Sequence, residues 1–145
     1  MGGIFFHRRR RPKREVMNDL RGDVANLFRI VQRHPDALIK AIEWSIDSRT
    51  FYEATRAEGS ETLTDVERAA RFYLVQRLSF GGKGGTAGSG GSRTGPKRLT
   101  SPTIVKHLRA AHARLNGVTI ECLDAIACIE RFDSPDTLFY CDPPY

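Results

Sequence analysis

The sequence has no aspartate or glutamate between Arg68 and Ile120, although Arg68, Arg71, Arg77, Lys83, Arg93, Lys97, Arg98, Lys106, Arg109 and Arg114 supply ten cations there. The rest of the chain is net acidic, with 13 basic against 17 acidic residues. Solubility does not require such segregation, and a polyanion such as DNA is its simplest partner. A solvated basic face with RNA or no partner is the alternative. Also missing is any apolar run near the roughly 20 residues that span a bilayer. In MGGIFFHRRRR the apolar residues precede the charges, the reverse of a signal peptide, so a cytoplasmic protein with no membrane partner is expected. Three cysteines, Cys122, Cys128 and Cys141, lack the paired spacing of a zinc site. Buried reduced thiols and no metal are expected.

What is present begins with 145 residues, 40% hydrophobic and 28% charged, enough for one domain with a core. Residues 8 to 14, RRRRPKR, hold six cations in seven positions and lead into EVMNDL, a short strand around Val16. Such runs occur on loops beside phosphate-binding surfaces and only weakly resemble a localisation signal. From Asp23 a helical stripe runs through Val24, Leu27, Phe28 and Val31. Pro35 opens a second helix with Leu38, Ile39, Ile42 and Trp44 on its apolar face, and Ser48 can cap a third. Thr64 and Glu67 form a capping box for a fourth, with Val66, Ala70, Tyr73, Leu74, Arg77 and Leu78 at helical spacing.

GGKGGTAGSGGSRTGPKR, residues 81 to 98, lacks the final Gly-Lys-Ser/Thr of a phosphate-binding loop and no strand feeds it. It reads as a flexible loop or as a basic loop that orders on nucleic acid. Ser101-Pro102 caps a helix with Ile104, Val105, Leu108, Ala111 and Leu115 inside and His107 and His112 outside, and Asn116-Gly117 stops it. A strand over Val118 to Cys122, a helix from Asp124 and a final strand over Thr137 to Cys141 complete the chain. Strand, helical insertion, strand, helix, strand is an interrupted α/β pattern suited to a parallel sheet.

Three acids fall where such a sheet places its ligand-binding residues, at strand carboxyl ends: Asp19, Asp124 and Asp142. Two of them have plainer readings. Asp124 serves equally as a helix cap, and Asp19 as part of a turn in NDLRGD with Asp23 as the cap. Asp142 precedes two prolines, which end sheet pairing and hold an extended turn. That turn can present the Asp142 carboxylate, the Pro143 carbonyl and the Tyr145 ring together. Two acceptors suit an amino group with two hydrogens, and the ring suits a flat base.

Asp142-Pro143-Pro144-Tyr145 after an apolar strand resembles the catalytic motif of the S-adenosylmethionine-dependent adenine-N6 DNA methyltransferases, and the chain is similar to their Dam-like group. Residues 14 to 31 resemble that group's strand ending in Asp, which implies that Asp19 binds the cofactor ribose. IECLDAI, residues 120 to 126, resembles the segment before the catalytic strand, which implies that Asp124 lies against the cofactor adenine. Residues 70 to 82 resemble the helical region that recognises DNA. The family's Phe-x-Gly-x-Gly loop is cut to MGGIFF, where Gly2 matches its last glycine.

The resemblance implies a partial Rossmann-like class I methyltransferase sheet, interrupted by a mostly helical target-recognition insertion. Residues 1–22 would begin the cofactor-binding domain, 23–116 would form the basic helical region, and 117–145 would return to the α/β domain. It implies S-adenosyl-L-methionine as cofactor, double-stranded DNA as partner, no metal and a monomer, either in a restriction-modification system or as an orphan enzyme. The target adenine would be flipped out, with Asp142 and Pro143 accepting from its amino group, Pro144 stiffening the turn and Tyr145 stacking on the base. Arg77, Lys83, Arg93, Lys97 and Arg98 are the expected DNA contacts. With half the glycine loop and the later strands missing, the chain is expected to be a fragment with little activity alone. The competing expectation is a non-catalytic basic nucleic-acid-binding helical module.

Overall fold

The computed structural model describes residues 3–8, 10–43, 63–78 and 101–142. The second helix's Trp44, the helix expected from Ser48 and the glycine-rich stretch 81–98 lie outside these residues. Two short strands, β1 (Val16–Asn18) and β2 (Thr119–Glu121), pair in parallel with Val16 opposite Thr119, Met17 opposite Ile120 and Asn18 opposite Glu121. Parallel strands need a long crossover. Here it includes α2 (Gly22–Arg33), α3 (Pro35–Glu43), α4 (Asp65–Leu78) and α5 (Ser101–Leu115). The short α1 (Gly3–His7) precedes β1, and α6 (Ala125–Phe132) follows β2. The described residues thus form a mixed helix and strand fold with a small parallel sheet.

The helical stripes read from spacing become the core. Val24, Leu27, Ile30 and Val31 of α2 pack with Leu38 and Ile42 of α3, Ala69, Ala70, Phe72 and Leu74 of α4, and Ile104, Leu108 and Leu115 of α5. Leu38 and Leu115 are completely buried. Met17 of β1 and Phe5 and Phe6 of α1 pack against the same cluster, so sheet and helices share one core. Phe5 and Phe6 meet edge to face at 5.1 Å, and Phe6 reaches Phe28 at 6.0 Å, which seats α1.

Local signals account for several boundaries. The capping box forms as expected: the Thr64 amide donates to Glu67 Oε2 at 2.8 Å, and the Glu67 amide donates to Thr64 Oγ1 at 3.3 Å. Gly117 stops α5 with φ +79°, a conformation that favours glycine. Gln32 Nε2 then donates to the carbonyls of Leu115 and Val118, both at 2.7 Å, fixing the turn into β2 against α2. At α2, Asp23 lies in the first turn and Arg21 is the N-cap residue, so Asp23 is not the cap.

The structure corrects four further expectations. Thr137–Cys141 joins no ladder among the described residues, and Leu138 and Tyr140 are 83% and 65% exposed. A strand needs a neighbouring edge. Here Thr137 instead closes a turn through its amide to the Ser134 carbonyl (3.0 Å) and its hydroxyl to the Phe132 carbonyl (2.8 Å), which turns the segment away from sheet pairing. The strand expected over Val118–Cys122 is shorter, Thr119–Glu121. His112 is half-buried rather than outside, with Nδ1 at 3.1 Å from the Val31 carbonyl. Of the cysteines, Cys128 is buried, Cys122 half-buried and Cys141 exposed. Burial, then the nearby Glu121 carboxylate, pushes the Cys128 thiol pKa up, as suits an inert thiol.

Candidate functional site

Three residues follow the pairing of β1 and β2 on each chain: Asp19, Leu20 and Arg21 after Asn18, and Cys122, Leu123 and Asp124 after Glu121. Asn18 ties the two segments together. Its Nδ2 donates to the Leu123 carbonyl at 2.9 Å and its Oδ1 accepts from the Leu123 amide at 2.9 Å. A side-chain amide here reproduces the donor and acceptor of a backbone peptide, extending the register one step beyond the sheet. Cys122 Sγ adds a weaker contact, 3.6 Å from the Leu20 carbonyl. Asp19 and Asp124 are therefore presented at the same carboxyl edge.

Each carboxylate has one oxygen engaged locally. Asp19 Oδ1 accepts from the Arg21 amide at 2.9 Å, the turn that NDLRGD offered as its plainer reading. Asp124 Oδ1 accepts from the Ile126 amide at 2.9 Å and caps α6. Among the described residues neither Oδ2 takes a hydrogen bond. Within the described residues each carboxylate thus combines a locally held orientation with an unengaged acceptor, an arrangement able to bind hydroxyl or amine hydrogens of a ligand. Asn18 carried no sequence signal of its own, because a polar residue ending a three-residue strand acquires a role only when the partner segment is beside it.

Asp142 is exposed and makes no hydrogen bond or ion pair among the described residues, whereas the segments bearing Asp19 and Asp124 are joined through Asn18 and Leu123. Gly2, Pro143, Pro144, Tyr145, Lys83, Arg93, Lys97 and Arg98 lie outside the described residues. Arg77 is half-buried on α4, where its charge partly opposes the burial that raises the Tyr73 phenol pKa. Among the described residues no group of His, Cys, Asp and Glu could hold a metal ion, and no helix is long and apolar enough to cross a membrane.

Among the described residues, cations of the acid-free segment are matched from outside it: Arg68 by Asp65, Arg109 by Asp36 and Arg114 by Glu15. Folding thus moderates the asymmetry of the sequence. A cleft of about 480 Å³ runs along α2 from Gly22 to His34, with Arg29, Arg33, Asp65 and Arg68 on its walls. It starts just after the Asp19 turn. Its polar rim is partly closed on itself, because Asn26 Nδ2 donates to the Asp65 carbonyl at 2.8 Å.

Replacing Asn18 by Ala would leave the Leu123 amide and carbonyl unpaired in a half-buried position. The expected cost is about 1 to 3 kcal/mol, read by thermal or urea unfolding. Because the same bonds hold the Asp19 and Asp124 segments in register, affinity for any ligand at this edge is expected to fall as well.

Comparison with known proteins bears on what that ligand is. The model of the D12 class N6 adenine-specific DNA methyltransferase family matches residues 2–145. The chain is similar to a DNA N-6-adenine-methyltransferase of Escherichia phage P1, with 26% identity over 140 residues, covering 90% of this chain and 18% of the relative. It is also similar to the Type II methyltransferase M1.LlaDCHI of Lactococcus lactis subsp. cremoris, with 24% identity over 154 aligned positions, covering 99% of this chain and 53% of the relative. The chain spans about half or less of these relatives' length.

Proposed function

The chain belongs to the D12 class of N6 adenine-specific DNA methyltransferases, and from that premise we propose that it transfers a methyl group from S-adenosyl-L-methionine to the exocyclic amino group of adenine in duplex DNA. The observation that carries this reading is the carboxyl edge of the parallel β1–β2 pair, where Asn18 joins the segments bearing Asp19 and Asp124 and, among the described residues, one oxygen of each carboxylate takes no hydrogen bond. Open α/β sheets bind ligands at that edge. The two acceptors fit the cofactor's hydroxyls and adenine amine, with Asp19 toward the ribose and Asp124 toward the purine. Gly2, directly before α1, is assigned to the cofactor's loop. The full sheet would be of the Rossmann-like class I type.

The cofactor supplies an electrophilic methyl group on a sulfonium sulfur. The chain's own residues receive the base. Asp142 and the Pro143 carbonyl accept from the adenine amino group, which keeps electron density on its nitrogen and orients the lone pair. Pro144 stiffens the turn, and Tyr145 stacks on the extruded ring. With the cofactor bound, the amino nitrogen would take the methyl group, leaving the donor as a neutral thioether, and the proton it gives up would pass along its hydrogen bond to Asp142 or to solvent. Residues 23–116 are assigned to target recognition, with Arg77, Lys83, Arg93, Lys97 and Arg98 on phosphates more than on base edges.

The test is transfer of labelled methyl groups to duplex DNA followed by digestion to nucleosides. Label is expected in N6-methyladenine, at the low level expected of this chain alone. Label in N4-methylcytosine overturns the choice of base, and a chain that binds duplex but neither binds nor uses the methyl donor is a nucleic-acid-binding module instead.

A further inference from the structure

The basic run of residues 8 to 14 has no part in methyl transfer as proposed, and the topology explains why. β1 and β2 run parallel, with Asp19 and Asp124 after their last residues. The run comes before Val16, and at that edge the Thr119 amide donates to the Glu15 carbonyl at 3.0 Å. The run therefore gathers at the amino edge of the sheet, opposite the edge that presents the acids.

Contacts from two sides fix it there. Arg11 Nη2 donates at 3.1 Å to the carbonyl of Ala113, one of the last-turn carbonyls that α5 leaves unpaired. The Arg14 guanidinium lies 5.3 Å from the centre of the Phe132 ring at the end of α6, which Arg131 also approaches at 5.8 Å. The acid that adjoins the run, Glu15, is bonded by Arg114, and its carboxylate also feels the charges of Arg11 and Arg8 without forming an ion pair with either among the described residues. Glu130, Asp133 and Asp136 are exposed in or just after α6, and none of them forms an ion pair with the run among the described residues. Arg8, Arg10 and Lys13 are exposed and make no hydrogen bond or ion pair among the described residues.

We propose that this amino-edge surface is a second DNA-binding site, which holds the phosphate backbone of duplex DNA without reading its sequence. It is separate from the strand ends assigned to methyl transfer. Two of the run's arginines serve as anchors, so Arg8, Arg10 and Lys13 project from a folded support instead of a loose tail, and less ordering entropy opposes binding. A sequence-independent grip of this kind keeps a protein on DNA while it slides between sites. The choice of duplex DNA among polyanions rests on the proposed function; the site itself does not.

The experiment measures binding of the whole chain to a fluorescent dG·dC duplex, without methyl donor, between about 50 and 200 mM salt. Changing Arg8→Gln, Arg10→Gln and Lys13→Gln together is expected to weaken binding about tenfold at the low end and to flatten the salt dependence by about 2 to 3 phosphate equivalents. The charge-retaining pair Arg8→Lys and Arg10→Lys is expected to keep both values, and melting temperatures should move little, since these side chains form no hydrogen bond or ion pair among the described residues and Arg8 acts on Glu15 through its charge alone. An unchanged salt slope in the triple variant overturns the proposal. Tighter binding of an equal-length RNA duplex, or of phosphatidylserine vesicles, overturns the choice of DNA. The probe contains no adenine, so this result and the methyl-transfer result stand or fall independently.

Discussion

Asp142→Ala is expected to lower methyl transfer to adenine about 10²- to 10³-fold, the usual effect of removing one preorganised polar group from a reacting centre. Affinity for the methyl donor should change little, because the acids assigned to the donor are Asp19 and Asp124, whose segments Asn18 joins without a bond to Asp142. The reaction needs a lone pair that adenine's amino nitrogen ordinarily shares with its ring. A carboxylate and a carbonyl accepting its two hydrogens restore that electron density and fix its direction. Asp142→Asn keeps the shape but replaces a charged acceptor by a neutral one, so its loss should be smaller than that of Ala. Single-turnover transfer measured at saturating donor separates chemistry from binding. Equal rates for Asp142→Ala and the parent would remove Asp142 from the mechanism, and a loss confined to donor affinity would move it to the cofactor site.

The largest effect on stability is expected from the pair Glu15–Arg114. The guanidinium is bidentate on the carboxylate, with Nη1 at 2.7 Å from Oε2 and Nη2 at 2.6 Å from Oε1, and both side chains are only 11% exposed. Arg114 Nη2 also donates to the Phe5 carbonyl at 3.1 Å, and its guanidinium lies 3.8 Å from the centre of the Phe5 ring. One side chain therefore joins α1, the start of β1 and the end of α5. Arg114→Met would strand the Glu15 carboxylate in a nearly closed site at a cost of about 3 kcal/mol, the low end for breaking a buried pair. For a chain of this size that is a fall of about 10 °C in melting temperature. The double change Glu15→Leu with Arg114→Met is expected to recover most of it, because apolar replacement of both partners leaves no charge unpaired.

The same pair sets an acid limit. The hydrogen bonds from Arg114, and next its charge, hold the Glu15 carboxyl below its ordinary value of 4.5, outweighing the burial that pushes it up. The folded state thus binds that proton less readily than the unfolded chain. The stabilisation is complete above about pH 4.5 and is lost as pH falls below it through the depressed folded value. Unfolding curves between neutral and acid pH should show this loss in the parent and a flatter response in Glu15→Gln.

Much of the fold was legible because its signals are local. Helical spacing marked Val24, Leu27, Leu38, Ile42, Ala70, Leu74, Ile104 and Leu115, all of them buried. Thr64 with Glu67 and Asn116 with Gly117 marked helix ends that form as read. The parallel pairing of β1 with β2 followed from the alternation of elements. Thr137–Cys141 was misread for an equally physical reason. Its apolar residues satisfy strand propensity, but a strand exists only where another edge meets its peptide groups, and propensity carries no information about that edge.

The sequence by itself determined the helices of the core, the acids that follow β1 and β2, the basic character of the chain and, through Asp142-Pro143-Pro144-Tyr145, the family. All of these depend on neighbours within a few positions along the chain. Tertiary structure alone decided that Asn18 joins the segments bearing Asp19 and Asp124, and that Arg68, Arg109 and Arg114 are paired while Arg8, Arg10 and Lys13 face outward. Those outcomes depend on groups as far apart in sequence as Asn18 and Leu123 or Glu15 and Arg114. A hydrogen bond or an ion pair acts over a few ångströms, and only folding sets which distant groups come within that range.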